Sequence, residues 1–303
     1  MDIYLPIANM SVNALLIVAL GGLVGILSGL FGVGGGFLTT PLLIFYGIPP
    51  SVAVASATTQ ITGASVSGVF AHMRRGGVDL RMGGVMIVGG LFGSLAGAGI
   101  FRLLQTTGQI DTVIGLLYVL LLGSIGVLML RDAAVALGWF KPQAPATPKP
   151  RHNRWVASLP LRQRFYASGL YISPIAPLLL GFAAGIMTVL LGIGGGFILV
   201  PAMIYLLGMA ARVVVGTSLV MILAVSAATT MIHALTTQSV DIVLAGLLLV
   251  GGVVGAQYGA RLTTRLKPDL LRLSLAVIIL LVALRMALGL TYRPDEIFSI
   301  EYM

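Results

Sequence analysis

The chain has 303 residues, of which 58% are hydrophobic and only 9% charged, whereas roughly a quarter of a soluble domain's residues carry charge. Its formal charge of +9 would suit a nucleic-acid partner, but the basic residues stand at the ends of apolar segments and in one linker, where they orient a membrane protein instead, so no nucleic acid is expected. Cysteine is absent, which excludes disulfides and thiolate metal sites.

Residues 1–10 carry Asp2 and no basic residue, and the apolar run behind them is as long as a span, so no cleaved signal peptide is expected. Stretches of about 20 apolar residues, enough to cross a bilayer, are predicted at 11–31, 52–72, 83–101, 112–130, 174–191, 213–233, 242–260 and 270–289. Two shorter ones, 37–46 and 197–207, cannot span alone. Each follows an interruption: Gly32-Val33-Gly34-Gly35-Gly36-Phe37 with Pro41 behind it, and Gly192-Ile193-Gly194-Gly195-Gly196-Phe197 with Pro201 behind it. Three consecutive glycines cost helix stability at every position, so two runs at equivalent depth break two helices.

The breaks belong to an internal repeat. Gly25, Phe37 and Pro41 correspond to Gly185, Phe197 and Pro201, His72 to His233, Val78-Asp79 to Val240-Asp241, and Gly89, Gly93 and Gly97 to Gly251, Gly255 and Gly259. Basic residues in matching loops fall on alternate sides. Arg74, Arg75 and Arg81 follow His72, while 234–240 has no Lys or Arg; Arg102 stands alone where the second half has Arg261, Arg265 and Lys267. This pattern predicts an inverted repeat in which each Gly-rich element enters and leaves on one side, with parallel halves and single broken spans as the competing arrangement.

The expected fold is therefore an all-α polytopic membrane protein of two homologous halves, each a Gly-broken helical hairpin plus three spanning helices. The repeats would cover 1–130 and 174–290, with a basic, Pro-rich cytoplasmic linker at 131–173 and a tail at 291–303. A short amphipathic helix around 155–166 would lie on the headgroups.

Irregular backbone in a bilayer is tolerated only where protein or a hydrated cavity satisfies it. A helix starts after each triglycine, so free N–H groups and the positive dipole end point back at the turn, a geometry that favours an anion. The bland alternative is close helix packing, which is the reading for Gly89/Gly93/Gly97 and Gly251/Gly255/Gly259. Neither run is a nucleotide loop, since no Gly-Lys-Ser/Thr follows. On the next span of each half, Thr58, Thr59, Gln60, Thr217 and Ser218 offer hydroxyl and amide donors that suit either an oxyanion or interhelical bonding. All nine acidic residues fall in predicted loops, tails or segment ends, which argues against a buried carboxylate as a proton or cation site. His72 and His233 end matching spans, as proton-sensing groups or as donors to nearby carbonyls. Asp79 and Asp241 read as helix N-caps.

The doubled Gly-x-Gly-Gly-Gly-Phe…Pro element, followed in each half by a His and Val-Asp, resembles the TauE/SafE family of sulfite exporters over nearly the whole chain outside the linker and tails. One departure is Ala55-Ser56-Ala57 where the second half has the family's usual Gly216-Thr217-Ser218. The resemblance implies a bacterial inner-membrane secondary transporter that moves small sulfur-containing anions such as sulfite, sulfoacetate or other organosulfonates outward. Its substrate site would comprise Gly34, Gly35, Gly36, Phe37, Thr39, Thr58, Thr59, Gln60, Gly194, Gly195, Gly196, Phe197, Thr217 and Ser218, with His72 and His233 in proton transfer or gating. A passive anion channel using the same donors is the alternative. No cofactor, metal or enzymatic activity is expected, because no metal-ligand cluster, acid pair or activated nucleophile is visible. The Gly faces would serve packing within one protomer or in a homodimer.

Overall fold

The computed structural model describes residues 2–31, 36–74, 76–136, 160, 162–263 and 268–291. The turn at 32–35, the basic residues Lys141, Lys149, Arg151 and Arg154, Trp155 and the tail beyond Thr291 lie outside them. The first half runs β1 (Asp2–Leu5), β2 (Met10–Asn13), α1 (Ala14–Phe31), α2 (Gly36–Phe45), α3 (Pro50–Arg74), α4 (Leu80–Thr106) and α5 (Ile110–Ala136). The second runs β3 (Gln163–Phe165), β4 (Leu170–Ile172), α6 (Ile175–Leu191), α7 (Gly196–Tyr205), α8 (Ala211–Ile232), a π-helical turn (His233–Thr237), α9 (Ile242–Thr263) and α10 (Pro268–Thr291).

The helices are those expected from the apolar pattern, and among the described residues five stretches are long and apolar enough to cross a membrane: Leu80–Thr106, Ile110–Val135, Val213–Thr237, Ile242–Gly259 and Leu273–Thr291. Their outer faces carry exposed Phe92, Leu95, Leu103, Leu120, Val127 and Leu281. A soluble protein does not expose that much contiguous apolar surface, whereas lipid covers it. The α3 segment is more polar because it carries Thr58, Thr59, Gln60 and Thr62, yet at 25 residues it is about 37 Å long and matches a bilayer's thickness.

Two features depart from the expected plan. Antiparallel hairpins precede α1 and α6, pairing Leu5 with Met10 and Phe165 with Leu170. The second falls where the sequence suggests linker and amphipathic helix, and 163–165 is extended rather than helical. Each hairpin turns through a left-handed residue, Asn9 (φ 55°) and Gly169 (φ 66°), and each ends on a side chain that takes up an N–H of the helix's first turn: Asn13 Oδ1 accepts from the Leu15 N–H, and Ser173 Oγ from the Ile175 N–H. The hairpins are thus copies of one another.

Packing interleaves the halves. Helix α1 lies against α9 and α6 against α4, with backbones in contact at small residues. A Cβ on Gly93 would overlap the Phe182 carbonyl, one on Gly185 the Gly90 carbonyl, and one on Gly255 the Gly22 carbonyl. This is the close approach expected of small residues at every fourth position in lipid. Helices α3 and α8 cross near the middle, tied by Thr62 Oγ1 donating to Ser226 Oγ at 3.0 Å.

The ends of these helices locate the two hairpins. Leu5 and Val12 of the first pack with Leu43, Ile48, Val52 and Leu244, and the Asn13 N–H donates to Tyr46 Oη at 3.3 Å, so α1 begins where α2 finishes and α3 starts. Phe165 and Ile172 of the second pack with Met82, Leu207, Met209 and Val213, beside the beginning of α4. That is the far end of α3.

Candidate functional site

The second break is described in full. Helix α6 ends at Leu191 with Gly192 as a left-handed C-cap (φ 67°), Gly194 and Gly195 follow at φ 70° and 76°, and α7 starts at Gly196. Three left-handed backbones within four residues are a conformation that only glycine adopts without strain. The first break places Gly36 and Phe37 at the start of α2, with Gly34 and Gly35 outside the described residues.

The two starts meet. The rings of Phe37 and Phe197 stack with centroids 4.4 Å apart and planes 7° from parallel, and both side chains are buried. A Cβ on Gly36 would lie 2.9 Å from the Ile193 carbonyl oxygen, so the start of α2 touches the opposite break. One on Gly194 would lie 2.8 Å from Ile61 of α3 and 3.2 Å from Ile222 of α8. Two helix N-termini, each carrying about half a positive charge, therefore converge beside the α3–α8 crossing. Further along, Pro41 and Pro201 remove the N–H groups that would bond the Phe37 and Phe197 carbonyls.

Polar groups around this centre come from both halves, those of the first half from α2, α3 and α5. Thr39 Oγ1 donates to Gln60 Oε1 at 3.2 Å, and Gln60 Nε2 reaches the Leu248 carbonyl of α9 at 3.4 Å. Thr40 Oγ1 and Tyr118 Oη both donate to the Leu191 carbonyl, the last of α6. Thr58 is buried and spends its hydroxyl on the Val54 carbonyl, and Thr59 donates to Ala55 O and approaches Thr230 Oγ1 at 3.4 Å.

Thr217 and Ser218 lie elsewhere. The Asp79 N–H donates to Thr217 Oγ1 at 2.9 Å, and Ser218 Oγ donates to the Val215 carbonyl, so both serve backbone in the first half of α8. The mirror contact is the Asp241 N–H on Ser56 Oγ at 3.2 Å. Both aspartates cap helices as expected, accepting from Met82 N–H and Leu244 N–H at 3.0 Å. The expectation that no carboxylate is buried is corrected: Asp79 is 2% and Asp241 0% exposed. Their second oxygens are taken up by the hairpins of the opposite halves, Asp79 Oδ2 by the Ser168 N–H and hydroxyl, Asp241 Oδ2 by the Ile7 N–H. Tyr118 and Ser168 were not among the sequence candidates; a lone tyrosine hydroxyl in mid-span, which must find a partner in an apolar medium, was the available signal for the former.

The paired histidines differ. His233 is fully buried, with Nε2 donating to the Val189 carbonyl at 3.1 Å, Nδ1 3.2 Å from Thr237 Oγ1, and the Phe101 ring edge-on at 4.9 Å. His72, near the end of α3, is half-buried. Among the described residues no group of three His, Cys, Asp or Glu is placed to hold a metal ion.

Long apolar helices with exposed apolar outer faces define a multi-pass membrane protein. The chain belongs to the TauE/SafE family: the family described as "Sulfite exporter TauE/SafE" matches residues 17–286. It is 31% identical to "Probable membrane transporter protein YjnA" of Bacillus subtilis (strain 168), over 89% of this chain and 98% of that one. It is equally 31% identical to a "Probable membrane transporter protein" of Xylella fastidiosa (strain Temecula1 / ATCC 700964), over 85% of this chain and 88% of the other. No solved structure matches it. It is a membrane transporter.

Proposed function

We propose that the chain is a secondary transporter of small sulfur-containing anions, such as sulfite, sulfoacetate or other organosulfonates, which it exports across the bacterial inner membrane. The observation that carries this reading is the meeting of the α2 and α7 N-termini at the Phe37–Phe197 stack, in a chain of the sulfite exporter family. Free N–H groups and dipole ends from both breaks would hold the anion there, as in other transporters built on discontinuous helices. Ile61 and Ile222 fill the approach in this conformation and would withdraw as the substrate enters.

The halves are inverted in this reading. It is supported by α1–α2 and α6–α7 each returning to the end from which it starts, at opposite ends of α3. The linker is then cytoplasmic, as its basic residues favour. Alternating access follows from motion of mixed units rather than of sequence halves, because the Gly contacts bind α1 to α9 and α4 to α6 too closely to slide. A substrate released at either membrane face would leave along the α3–α8 crossing, where hydroxyl pairs can exchange partners.

The test is uptake of labelled sulfite, sulfoacetate and thiosulfate into proteoliposomes, with and without a pH gradient, for wild type, Gly35→Leu and Gly195→Leu. Saturable uptake lost in both variants, in protein that remains monodisperse, is the expected result. Uptake that survives both would move the binding site away from the breaks, and flux without saturation or counterflow would make the protein a channel. Loss of gradient dependence in His72→Gln or His233→Gln would assign proton coupling to that residue.

A further inference from the structure

The two halves of the central site set equivalent helices around it and differ in the side chains those helices carry. Equivalent positions are fixed by the mirrored contacts of Ser56 with Asp241 and Thr217 with Asp79, and four residues further along α3 and α8 these place Gln60 opposite Met221. The equivalence is repeated in what each touches. A Cβ on Gly252 of α9 would lie 2.8 Å from Gln60 Nε2, and one on Gly90 of α4 would lie 2.9 Å from Met221 Cε. On the short helices behind the breaks, Thr39 stands where the other half has Leu199.

At these positions the first half thus offers polar side chains, and the second offers side chains of carbon and sulfur alone. Gln60 is 5% exposed; its oxygen accepts from Thr39, one amide hydrogen reaches Leu248 O at a long 3.4 Å, and the other has no partner among the described residues. A buried amide hydrogen left unspent is unfavourable, and a ligand oxygen would satisfy it. Met221 and Leu199 are fully buried and can satisfy no oxygen, while a methionine adapts its shape to an apolar group.

We propose that Gln60 and Met221 set selectivity in the site where the α2 and α7 starts meet: Gln60 with Thr39 takes the oxygen-rich head of the anion, and Met221 with Leu199 takes its carbon substituent. The inference rests on the reading of the breaks as the binding site. A two-ended organic oxyanion then fits better than a small inorganic one, because the inorganic ion would turn oxygens toward the Met221 and Leu199 side chains, which have no donor for them.

Wild type, Gln60→Met, Met221→Gln and the double exchange would be compared in proteoliposomes for initial uptake of labelled ethanesulfonate and labelled sulfite, with melting in detergent as the folding control. The ratio of ethanesulfonate to sulfite uptake should fall at least about tenfold in Met221→Gln, Gln60→Met should lose both fluxes, and the double exchange should regain ethanesulfonate uptake. Gln60→Glu, which keeps the side chain's shape and adds a negative charge, should lose both fluxes as well. An unchanged ratio in Met221→Gln, a double exchange as inactive as Gln60→Met, or full activity in Gln60→Glu would each overturn the assignment. If Gln60 only tied α3 to α9, its loss would lower the melting temperature and leave the ratio alone. Failure of wild type to move either probe would overturn the binding-site reading, and this assignment with it.

Discussion

The backbone N–H of Asp79 donates to the Thr217 hydroxyl at 2.9 Å, joining the start of α4 in one half to α8 of the other. Because the Asp241 N–H makes the same bond to Ser56, each half closes one end of its neighbour. Neither contact is a surface ornament, since all four residues are buried.

Removing these carboxylates should therefore destabilise the fold unequally. Asp79 accepts from the Met82 N–H and from both donors of Ser168, while Asp241 accepts from the Leu244 and Ile7 N–H groups alone. Losing a cap and stranding buried donors should cost about 2–4 kcal/mol for Asp79→Ala, and less for Asp241→Ala. Thermal unfolding in detergent checks the order, and a larger loss at Asp241 would contradict it.

Glycine substitutions along α4 should separate packing from helix propensity. A Cβ on Gly93 would overlap the Phe182 carbonyl of α6, whereas one on Gly84 has no atom within 4 Å. Gly93→Ala must push α4 off α6 and should cost several kcal/mol, roughly as overpacking does at its upper end. Gly84→Ala should be neutral or stabilising by up to about 1 kcal/mol. Melting temperatures of the two variants measured side by side decide it.

What the sequence made legible follows from how local each signal is. The breaks could be read because three glycines inside an apolar run have few other uses, and the helices because their apolar lengths match a bilayer. The hairpins could not: strands of three or four residues have too little alternation to register, and the second lies beside a linker whose basic, Pro-rich composition dominates. Asp79 and Asp241 were recognisable as caps, from the residues that follow them. Their burial was not, because the groups that cover them come from 89 and 234 residues away. Thr217 illustrates the same limit within the candidate site: a hydroxyl that serves backbone and one that serves a ligand look alike until the partner is placed.

The turn itself should tolerate no side chain at Gly194. Its φ of 70° costs an L-residue roughly 1–2 kcal/mol, and its Cβ would press on Ile61 Cγ2 at 2.8 Å and Ile222 Cγ2 at 3.2 Å. Gly194→Ala is expected to lower both melting temperature and anion uptake. Adding Ile61→Leu, which removes the β-branch methyl, should restore part of the stability, because it relieves the packing and leaves the backbone strain. No rescue would mean that strain alone accounts for the loss.

The Leu191 carbonyl offers a last test of how the end of α6 is held. It accepts from both Tyr118 and Thr40, so either donor can be lost while the other still satisfies a buried helix-end carbonyl. Tyr118→Phe and Thr40→Val should each cost about 1 kcal/mol, the usual net value of a hydrogen bond. The double variant strands the carbonyl and should cost more than the sum, by about 1 kcal/mol or above. Unfolding of the four proteins in the same detergent measures the coupling. A strictly additive result would show that a third donor takes the carbonyl over, and that the break is held by a network larger than these two hydroxyls.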